Sequence, residues 1–164
     1  MSPNLRAFLD MIAHSELGAE ILAQSDNGYN VLVGSTPGHV LTFSSYADHP
    51  RRRMSVTIKA RDGATAIIES TAAGRYQILQ RYFDAYRMNL GLPDFGPGSQ
   101  DRIAVQMIRE CRAIANIEAG QFETAVRQCS SRWASLPGAP YGQHVNPLAP
   151  LQAAYVAAGG TVVA

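Results

Sequence analysis

The beginning of the chain carries apolar side chains at the spacing of one helix face. These positions are Leu5, Phe8, Leu9 and Ile12. Intervals of three and four residues are the period of an amphipathic helix. Ser2-Pro3 stands before them, and a serine followed by a proline is a typical helix start. We therefore predict a helix that buries this face and ends close to Glu16.

Glu16 is the candidate functional residue of this helix. Leu17-Gly18 follows it, so we expect Glu16 near the helix C-terminus. The negative end of the helix dipole disfavours an ionised carboxylate, and partial burial would raise its pKa further. A glutamate in that state can donate a proton at neutral pH. The alternative is a solvated glutamate at a helix end, and the pattern by itself leaves both open.

The next part of the chain predicts a small β-rich insert over residues 29–68. Asn27-Gly28 marks a turn, residues 29–34 predict a strand, and residues 40–43 predict its partner. A hairpin is predicted from residues 56–59 and 64–68, which flank Arg61-Asp62-Gly63. Residues 46–50 are predicted to form a loop, because a proline follows His49.

The remainder is predicted to be helical. Apolar residues over 78–90 define a broad face, and Gly91 with Pro93 is expected to stop that helix. Ser99 is predicted to cap the next helix. Further helical faces cover residues 103–111, 114–117, 122–133 and 148–158. Residues 136–142 are rich in glycine and proline and predict a loop that could form the lip of a cleft.

One helix, a β insert and a run of helices together predict an α+β fold of two lobes with a groove between them. Glu16 would lie where the lobes meet. The 164 residues suffice for one domain with its own core, so we expect a single domain over 1–164. With 46% hydrophobic and 16% charged residues, the composition is that of a globular protein.

Charge and hydropathy exclude several classes of function. The net charge is +1, which argues against a polyanion binder. Arg51-Arg52-Arg53 is the one basic run, and no aromatic residues interleave with it, so a solvated loop is favoured over a nucleic-acid site. No stretch has the length of a membrane span or the pattern of a signal peptide. We expect a soluble protein that is made in the cytoplasm and is not stably inserted in a membrane.

The cysteines and histidines do not predict a metal or cofactor site. Cys111 and Cys129 have no metal-ligand spacing and are expected to be buried free thiols. The histidines also lack a paired spacing. They are His14, His39, His49 and His144. We therefore expect no metal and no cofactor.

A series of short motifs runs in order along almost the whole chain. They include Arg6-Ala7-Phe8-Leu9-Asp10-Met11, Ser15-Glu16, Asn27-Gly28-Tyr29, Asp48-His49-Pro50-Arg51, Ala73-Gly74-Arg75-Tyr76-Gln77, Ser99-Gln100-Asp101, Trp133-Ala134-Ser135-Leu136-Pro137-Gly138-Ala139 and Ala158-Gly159-Gly160-Thr161-Val162. In these motifs the chain resembles the bacteriophage lambda lysozyme family, phage endolysins that cleave peptidoglycan as lytic transglycosylases. The resemblance implies a lysozyme-like fold and matches Glu16 to the family's catalytic glutamate.

The chain departs from the family pattern at three places. His14 stands where the family has tryptophan, Leu17 stands where it has glycine, and residues 50–70 form a longer segment. These departures bear on the shape of the cleft and its sugar subsites.

The resemblance implies cleavage of the β-1,4 bond between N-acetylmuramic acid and N-acetylglucosamine, with formation of a 1,6-anhydromuramic acid end and Glu16 as acid and base. Most glycosidases use two carboxylates. Asp26, Asp48 or Glu69 could supply a second one, so a hydrolytic muramidase is one alternative. Each could instead have a structural role: Asp26 in a turn, Asp48 in bracing its loop, and Glu69 in capping the following helix. A non-catalytic cell-wall-binding module is the other functional alternative.

Several residues are predicted to meet sugar hydroxyls and N-acetyl groups, with packing or capping as the alternative for each. They are Tyr141, Ser70, Thr71, Tyr76, Gln77 and Tyr29. The resemblance further implies peptidoglycan glycan strands as the partner and a monomeric protein. It implies accumulation in the host cytoplasm and action on the periplasmic cell wall after release through a membrane lesion.

Overall fold

The computed structural model describes residues 1–59, 62–142 and 145–163. Within these residues the chain forms six helices and one two-stranded antiparallel sheet. The helices are α1 (Pro3–Ala23), α2 (Gln80–Leu90), α3 (Pro97–Glu110), α4 (Ile114–Glu118), α5 (Phe122–Cys129) and α6 (Leu148–Ala157), and the strands are β1 (Met54–Lys59) and β2 (Thr65–Ser70). The predicted α+β class is confirmed. No helix among the described residues has the length and apolar character to cross a membrane.

The start of α1 follows the prediction. The Ser2 Oγ accepts a hydrogen bond from the Leu5 N–H at 3.1 Å, and the Ser2 carbonyl accepts one from the Arg6 N–H at 3.1 Å. Pro3 occupies the first helical position, where no N–H is needed. Phe8 and Ile12 are fully buried, so the apolar stripe is the core face of the helix.

The chain divides into two compact units, and the division along α1 falls between Ser15 and Glu16. The first unit comprises Met1–Ser15, Lys59–Ala64 and Val105–Ala164, and the second comprises Glu16–Ile58 and Thr65–Ala104.

The core of the first unit is built on three aromatic rings. The Phe8 ring lies edge-on to the rings of Phe122 and Tyr155, with centroids 6.3 Å from each, and those two rings are 4.9 Å apart. Asn4 joins the ends of the chain beside this core. Its Oδ1 accepts from the N–H of Thr161 at 3.0 Å, and its Nδ2 donates to the carbonyl of Ile117 at 3.1 Å.

The core of the second unit contains a buried histidine among aromatic rings. The His49 ring centroid is 4.7 Å from that of Phe95 and 5.8 Å from that of Phe83. Its Nε2–H donates to the Ile78 carbonyl at 3.0 Å, and its Nδ1 accepts from the Arg51 N–H at 3.1 Å. Both ring nitrogens of a neutral imidazole are thereby satisfied.

The strand predicted over 29–34 is wrong, although the predicted partner around residues 40–43 does form backbone hydrogen bonds to it. The structure has only isolated bridges there, between Val31 and Thr42 and between Leu32 and Ala73. Ser35 explains why the pairing does not extend. Its Oγ donates to the Leu32 carbonyl at 2.8 Å and accepts from the Leu41 N–H at 3.0 Å, so a side chain takes the place of further ladder bonds. The turn at Asn27-Gly28 is confirmed, since both residues have positive φ and the Tyr29 N–H bonds the Asp26 carbonyl.

The predicted hairpin is confirmed as β1 and β2, while its Arg61 lies outside the described residues. The half-buried and exposed positions of β1 alternate, and the first five residues of β2 are exposed. The expected stop of α2 is also confirmed, because Gly91 adopts a φ of 58° and its N–H bonds the Arg87 carbonyl.

Several of the helices after the hairpin have bounds that differ from the prediction. The α2 helix begins at Gln80, after the first two residues of the predicted range. The α3 helix begins at Pro97, so Ser99 is in its first turn and its Oγ donates to Asp94 at 2.7 Å instead of capping. The α5 helix ends at Cys129, and Trp133 lies buried beyond it.

Candidate active site

Glu16 is half-buried on α1, two residues before the helix is interrupted. The interruption is Gly18, whose φ of 77° and ψ of 158° leave the helical region. A glycine adopts this backbone without the clash that a Cβ would cause. The helix continues beyond it to Ala23, which the sequence analysis did not predict. Glu16 therefore lies in the last turn before the interruption of α1, and not at the end of the whole helix.

A hydrogen-bond network fixes the peptide that precedes Glu16. The Asn146 Nδ2 donates to the Ser15 carbonyl at 2.8 Å and contacts the Ser15 Oγ at 3.0 Å. The Ser15 and Ser135 hydroxyls are 2.8 Å apart, and the Asn146 N–H donates to the Ser135 carbonyl at 2.8 Å. Since the Ser15 carbonyl belongs to the peptide bond to Glu16, this network holds the backbone from which the carboxylate projects.

The sequence analysis did not identify this network. Asn146 is separated from Ser15 by 131 residues, and it stands in a short polar stretch before α6. Its only local signal is the asparagine before Pro147, which is typical of a turn.

Asp26 and Glu69 each accept a hydrogen bond from a neighbouring hydroxyl. The Tyr46 O–H donates to the Asp26 Oδ2 at 2.5 Å, and burial together with this hydrogen bond raises the pKa of Tyr46. Asp26 also belongs to the turn that was its predicted alternative, since its carbonyl accepts from the Tyr29 N–H at 2.8 Å. The Ser55 O–H donates to the Glu69 Oε1 across the hairpin, where the predicted alternative was a cap on the following helix.

Asp48 is held in a network of ion pairs at the surface. The Arg51 Nε lies 2.9 Å from the Asp48 Oδ2, and the Arg87 Nη1 lies 3.1 Å from the Asp48 Oδ1. Arg51 also pairs with Asp84 at 2.6 Å. The hydrogen bonds from Arg51 lower the pKa of both aspartates below the usual range. A carboxylate held in this way braces the loop and is a poor proton acceptor near neutral pH.

Tyr29 and Tyr76 are brought together by a shared acceptor. Their hydroxyls donate to the same oxygen of Asp101, the Oδ1, at 2.9 and 2.7 Å, and their rings meet edge to face at 6.5 Å. Burial and the Asp101 charge raise the pKa of Tyr29 to about 12 and raise that of Tyr76 as well. The Arg75 guanidinium lies 5.2 Å from the Tyr29 centroid. Tyr29 is half-buried and Tyr76 is 2% exposed, so this geometry favours the packing alternative for Tyr76.

Gln100 supports the same region from a fully buried position. Its Oε1 accepts from the Arg75 N–H at 2.9 Å, and its Nε2 donates to the carbonyls of Tyr29 and Phe95 at 2.9 and 2.8 Å. Gly74 makes room for it, since a Cβ there would lie 2.1 Å from the Gln100 Oε1. Asp101 and Gln100 belong to a motif that the sequence analysis quoted without assigning roles.

The remaining predicted binding residues on this side have local partners. The Ser70 Oγ accepts from the Ala72 N–H at 3.2 Å, and the Thr71 Oγ1 accepts from the N–H of Gln80, the first residue of α2, at 3.2 Å. The Gln77 Nε2 donates to the Gly74 carbonyl at 3.0 Å, and Gln77 itself has a φ of 48°. These bonds orient the side chains but leave Ser70, Thr71 and Gln77 half-buried, with surface still open to solvent.

Tyr141 lies in the predicted loop and is 53% exposed. Its hydroxyl donates to the Ser131 carbonyl at 2.5 Å, which fixes the side chain against the segment that follows α5. The loop position agrees with the sequence analysis, while contact of this ring with a sugar stays a prediction.

The histidines have separate environments. His49 is a buried core residue, His14 is half-buried, His39 is exposed, and His144 lies outside the described residues. Among the described residues, no group of three or more His, Cys, Asp or Glu side chains could hold a metal ion.

Solved structures place this fold in a class. The structure of bacteriophage lambda lysozyme complexed with a chitohexasaccharide matches with a TM-score of 0.86 and 43% sequence identity, covering 99% of this chain and 98% of that chain. A further structure of lysozyme from bacteriophage lambda matches with a TM-score of 0.81 and 42% identity over the same shares of the two chains. The fold is therefore that of a lysozyme-like enzyme, a glycosidase that degrades the cell wall.

Sequence relatives identify the family. The chain is 45% identical to the endolysin of Escherichia phage lambda over 159 residues, which is 96% of this chain and 92% of the relative. It is 44% identical to the endolysin of Escherichia phage P2 over 158 residues, covering 96% and 93%. The endolysin family model matches residues 6–162. The chain belongs to the endolysin family of phage enzymes that degrade peptidoglycan, which confirms the family resemblance.

Proposed function

We propose that this endolysin is a lytic transglycosylase that cleaves the β-1,4 bond between N-acetylmuramic acid and N-acetylglucosamine. Glu16 is the general acid and then the general base. The product is a 1,6-anhydromuramic acid end, formed without water.

Glu16 acts first on the leaving group. In its protonated form it donates to the bridging oxygen as the bond to the anomeric carbon breaks, so that the departing sugar leaves as a neutral alcohol. A side chain with this task needs a backbone that is held in place, because small displacements of a catalytic group greatly lower the rate. The hydrogen bonds from Asn146 to Ser15 hold the backbone of the residue before Glu16.

The same carboxylate completes the reaction. Once ionised, Glu16 accepts the proton of the muramic acid 6-hydroxyl, and the 6-oxygen attacks the anomeric carbon of the same sugar. Glu16 is thereby returned to its protonated form. Because the nucleophile is part of the substrate, proximity replaces the second protein carboxylate that other glycosidases need.

The observation that carries this proposal is the state of the other candidate carboxylates. Asp48 is paired with two arginines, Asp26 accepts from Tyr46, and Glu69 accepts from Ser55. Each of the three has a structural role that accounts for it. This supports a mechanism with one carboxylate over a hydrolase with two.

For substrate contact we propose Tyr141 first, together with Ser70, Thr71, Gln77, Tyr29 and Tyr76. The glycan class is supported by the lambda lysozyme structure, which is a complex with a chitohexasaccharide. Tyr141 is the most exposed of the six and offers a ring face to a sugar. Tyr76 is the most buried and would act chiefly by positioning its neighbours.

We further propose a monomer that consists of one catalytic domain over residues 1–164. It would accumulate in the host cytoplasm and reach the periplasmic wall through a phage-made membrane lesion. Membership of the endolysin family supports this route. Fractionation of infected cells before and after lesion formation tests it, since enzyme found outside the cytoplasm beforehand would contradict it.

A panel of carboxylate variants tests the chemistry. We expect Glu16→Gln to lower the rate of peptidoglycan solubilisation by about 10²-fold to 10⁴-fold, because it removes the proton donor and keeps the shape. Asp26→Asn, Asp48→Asn and Glu69→Gln are the matched controls. Each is expected to retain activity within about fivefold of the wild type, because exposed ion pairs and hydrogen bonds contribute little to the stability of the fold. Tyr141→Ala is expected to raise the substrate concentration needed for half-maximal rate.

The melting temperature of every variant is measured beside its rate. A folded Glu16→Gln enzyme that retains activity would contradict the role of Glu16. A loss in Asp26→Asn, Asp48→Asn or Glu69→Gln as large as that in Glu16→Gln would support a second catalytic carboxylate and hydrolysis. A large fall in the melting temperature of Tyr141→Ala would assign that ring to packing.

A further inference from the structure

Leu17 lies directly between Glu16 and the interruption of α1 at Gly18. Its side chain is only 9% exposed, whereas Glu16 is half-buried and Gly18 has open space where a Cβ would be. A buried leucine between a candidate acid and a break in the helix can determine how firmly that acid is held. The contacts of Leu17 therefore bear on the chemistry of Glu16.

Leu17 belongs to a small apolar cluster within the second unit. The cluster consists of Leu17, Ile21 and Val31, and the partly buried Leu22 and Val40 pack against it. Ile21 is 5% exposed and Val31 is fully buried. Because buried side chains pack at high density, a residue in such a cluster has little freedom to move.

The turn at Gly28 contacts Leu17 as well. A Cβ at Gly28 would lie 2.7 Å from the Leu17 Cδ1 and 2.8 Å from the Leu22 Cδ2, so both leucine side chains lie directly against the Gly28 backbone. The Gly28 N–H donates to the Ser25 Oγ at 3.0 Å, and the Gly28 carbonyl accepts from the Val31 N–H at 3.2 Å. Leu17 therefore packs on a turn whose backbone is itself held by hydrogen bonds.

The last helical turn before Gly18 needs such support from side chains. The final carbonyls of a helical section have no intrahelical partners. One of them, the Ser15 carbonyl, accepts from the Asn146 side chain at 2.8 Å. On the other side of Glu16 the chain passes into Gly18, a residue type with few conformational restrictions. The packing of Leu17 supplies the restraint on that side.

We infer that Leu17 is a positioning residue for Glu16. Its side chain holds the last helical turn against the cluster and the Gly28 turn, and thereby keeps the Glu16 carboxylate in one direction. The inference rests on the proposed role of Glu16 as the acid. The sequence analysis expected the leucine at this position to bear on the shape of the cleft, and its burial assigns it instead to the support of Glu16.

Leu17→Ala tests this role. The substitution removes three carbons from the packed side chain, and the surrounding structure fills the space only in part. The turn that carries Glu16 can then shift, which lowers the rate of the chemical step more than it weakens substrate binding. We expect kcat on soluble glycan fragments to fall about tenfold, with KM within about twofold of the wild type.

Ile21→Ala is the matched control, because it removes three carbons from the same cluster. Ile21 lies in the second section of α1, beyond Gly18. The melting temperatures of Leu17→Ala and Ile21→Ala should fall by similar amounts, but kcat of Ile21→Ala should stay within about twofold of the wild type. Leu17→Met refills most of the lost volume and should restore kcat to within about threefold of the wild type.

Equal kcat in Leu17→Ala and Ile21→Ala would overturn the inference and assign Leu17 to the core alone. A Leu17→Met enzyme as slow as Leu17→Ala would also overturn it. If an alanine variant does not fold, Leu17→Val and Ile21→Val give the same comparison with smaller losses of volume. Only Leu17→Val should then lower kcat, and equal kcat in the two valine variants would overturn the inference.

Glu16→Gln distinguishes a failure of this inference from a failure of the proposed function. A folded Glu16→Gln enzyme with full activity would contradict the acid role on which the inference rests. A slow Glu16→Gln enzyme together with a normal kcat in Leu17→Ala would contradict the inference and leave the acid role in place.

Discussion

At the scale of single residues, the position of Glu16 depends on bonds made by its neighbour. Ser15 receives hydrogen bonds from Asn146 at its carbonyl and contacts Ser135 through its hydroxyl. Gly18 then allows the backbone to leave the helical region two residues after Glu16. The carboxylate thus projects from a short section of helix that is fixed before it and interrupted after it.

This arrangement predicts a positioning role for Asn146. Asn146→Asp keeps the shape but replaces the donor group by an acceptor, so the bond to the Ser15 carbonyl is lost. We expect kcat to fall about tenfold or more with KM little changed, because the backbone that positions the Glu16 carboxylate is held less firmly. Steady-state kinetics on soluble glycan fragments measure this effect.

Ser135→Ala is the matched control for Asn146→Asp. It removes the contact between the Ser15 and Ser135 hydroxyls but leaves the bond from Asn146 to the Ser15 carbonyl. Its kcat should stay close to that of the wild type. An Asn146→Asp enzyme that is stable and has normal kcat would show that the network serves the fold alone.

At the scale of elements, Gln100 on α3 links three separate segments. Its side chain meets the backbone of Arg75, Tyr29 and Phe95, and Asp101 next to it receives the hydroxyls of Tyr29 and Tyr76. The start of α3 therefore holds the segment around Tyr76, in addition to the bridge between Leu32 and Ala73.

Gly74 offers a sharp test of this link. Gly74→Ala would place a Cβ 2.1 Å from the Gln100 Oε1 at a residue with a φ of 78°. We expect a loss of at least about 2 kcal/mol in the free energy of unfolding, because the buried amide would be displaced and its partners left unsatisfied. Chemical denaturation measures the loss.

Gly98→Ala is the control for Gly74→Ala. Gly98 lies in the first turn of α3 with open space where a Cβ would be, and alanine there is expected to be neutral or to stabilise by up to about 1 kcal/mol. Equal destabilisation by the two substitutions would contradict the role assigned to Gln100.

The sequence predicted correctly those helix ends that are determined by residues nearby in the chain. The Ser2-Pro3 start of α1 and the Gly91 stop of α2 depend on residues within one turn of the helix end. The strand predicted over 29–34 fails because the Ser35 hydroxyl, which can pair with backbone in several ways, takes bonds that a ladder would use. A hydrophobic pattern contains no information about such a competition.

The candidate site was predictable only in part for a related reason. Glu16 stood out because of its place at the end of an apolar face and its match to a known family. Asn146 is 131 residues from Ser15, and Asp101 is 72 from Tyr29, so nothing in the local pattern links them. A bracing role for Asp48 was one of the alternatives considered from the sequence, but its partner Arg51 was identified only by the structure.

At the scale of the whole molecule, four groups with lowered pKa values make stability depend on pH. Burial among aromatic rings lowers the pKa of His49, so the folded state favours the neutral ring. Hydrogen bonds from Arg51 lower the pKa of Asp48 and Asp84, and the Ser99 hydroxyl does the same for Asp94. In each case the unfolded chain takes up a proton more readily than the folded protein, so acid favours unfolding.

Two pH windows follow from these directions. The contribution of His49 is complete above its unfolded pKa of about 6.5 and is lost as the pH falls through its lower folded value. The three aspartates contribute fully to stability above their unfolded pKa of about 3.9. They lose this contribution as the pH falls further, through their lower pKa values in the folded state. We therefore expect the melting temperature to fall in two steps as the pH is lowered from about 7.

His49→Gln tests the first step. Glutamine can still donate to the Ile78 carbonyl and accept from the Arg51 N–H, but it does not titrate. Its melting temperature is expected to be flatter than that of the wild type between about pH 7 and pH 5. His39→Gln, at an exposed position, should keep the wild-type profile. A wild-type protein with constant melting temperature in this window would contradict the account of His49.

The central claim is that one carboxylate, Glu16, performs the cleavage without water. Mass spectrometry of the soluble fragments released from purified peptidoglycan tests it most directly. The account predicts muropeptides that are one water lighter than hydrolytic products and that resist reduction by borohydride. Fragments of full mass with reducible ends would contradict it and establish hydrolysis.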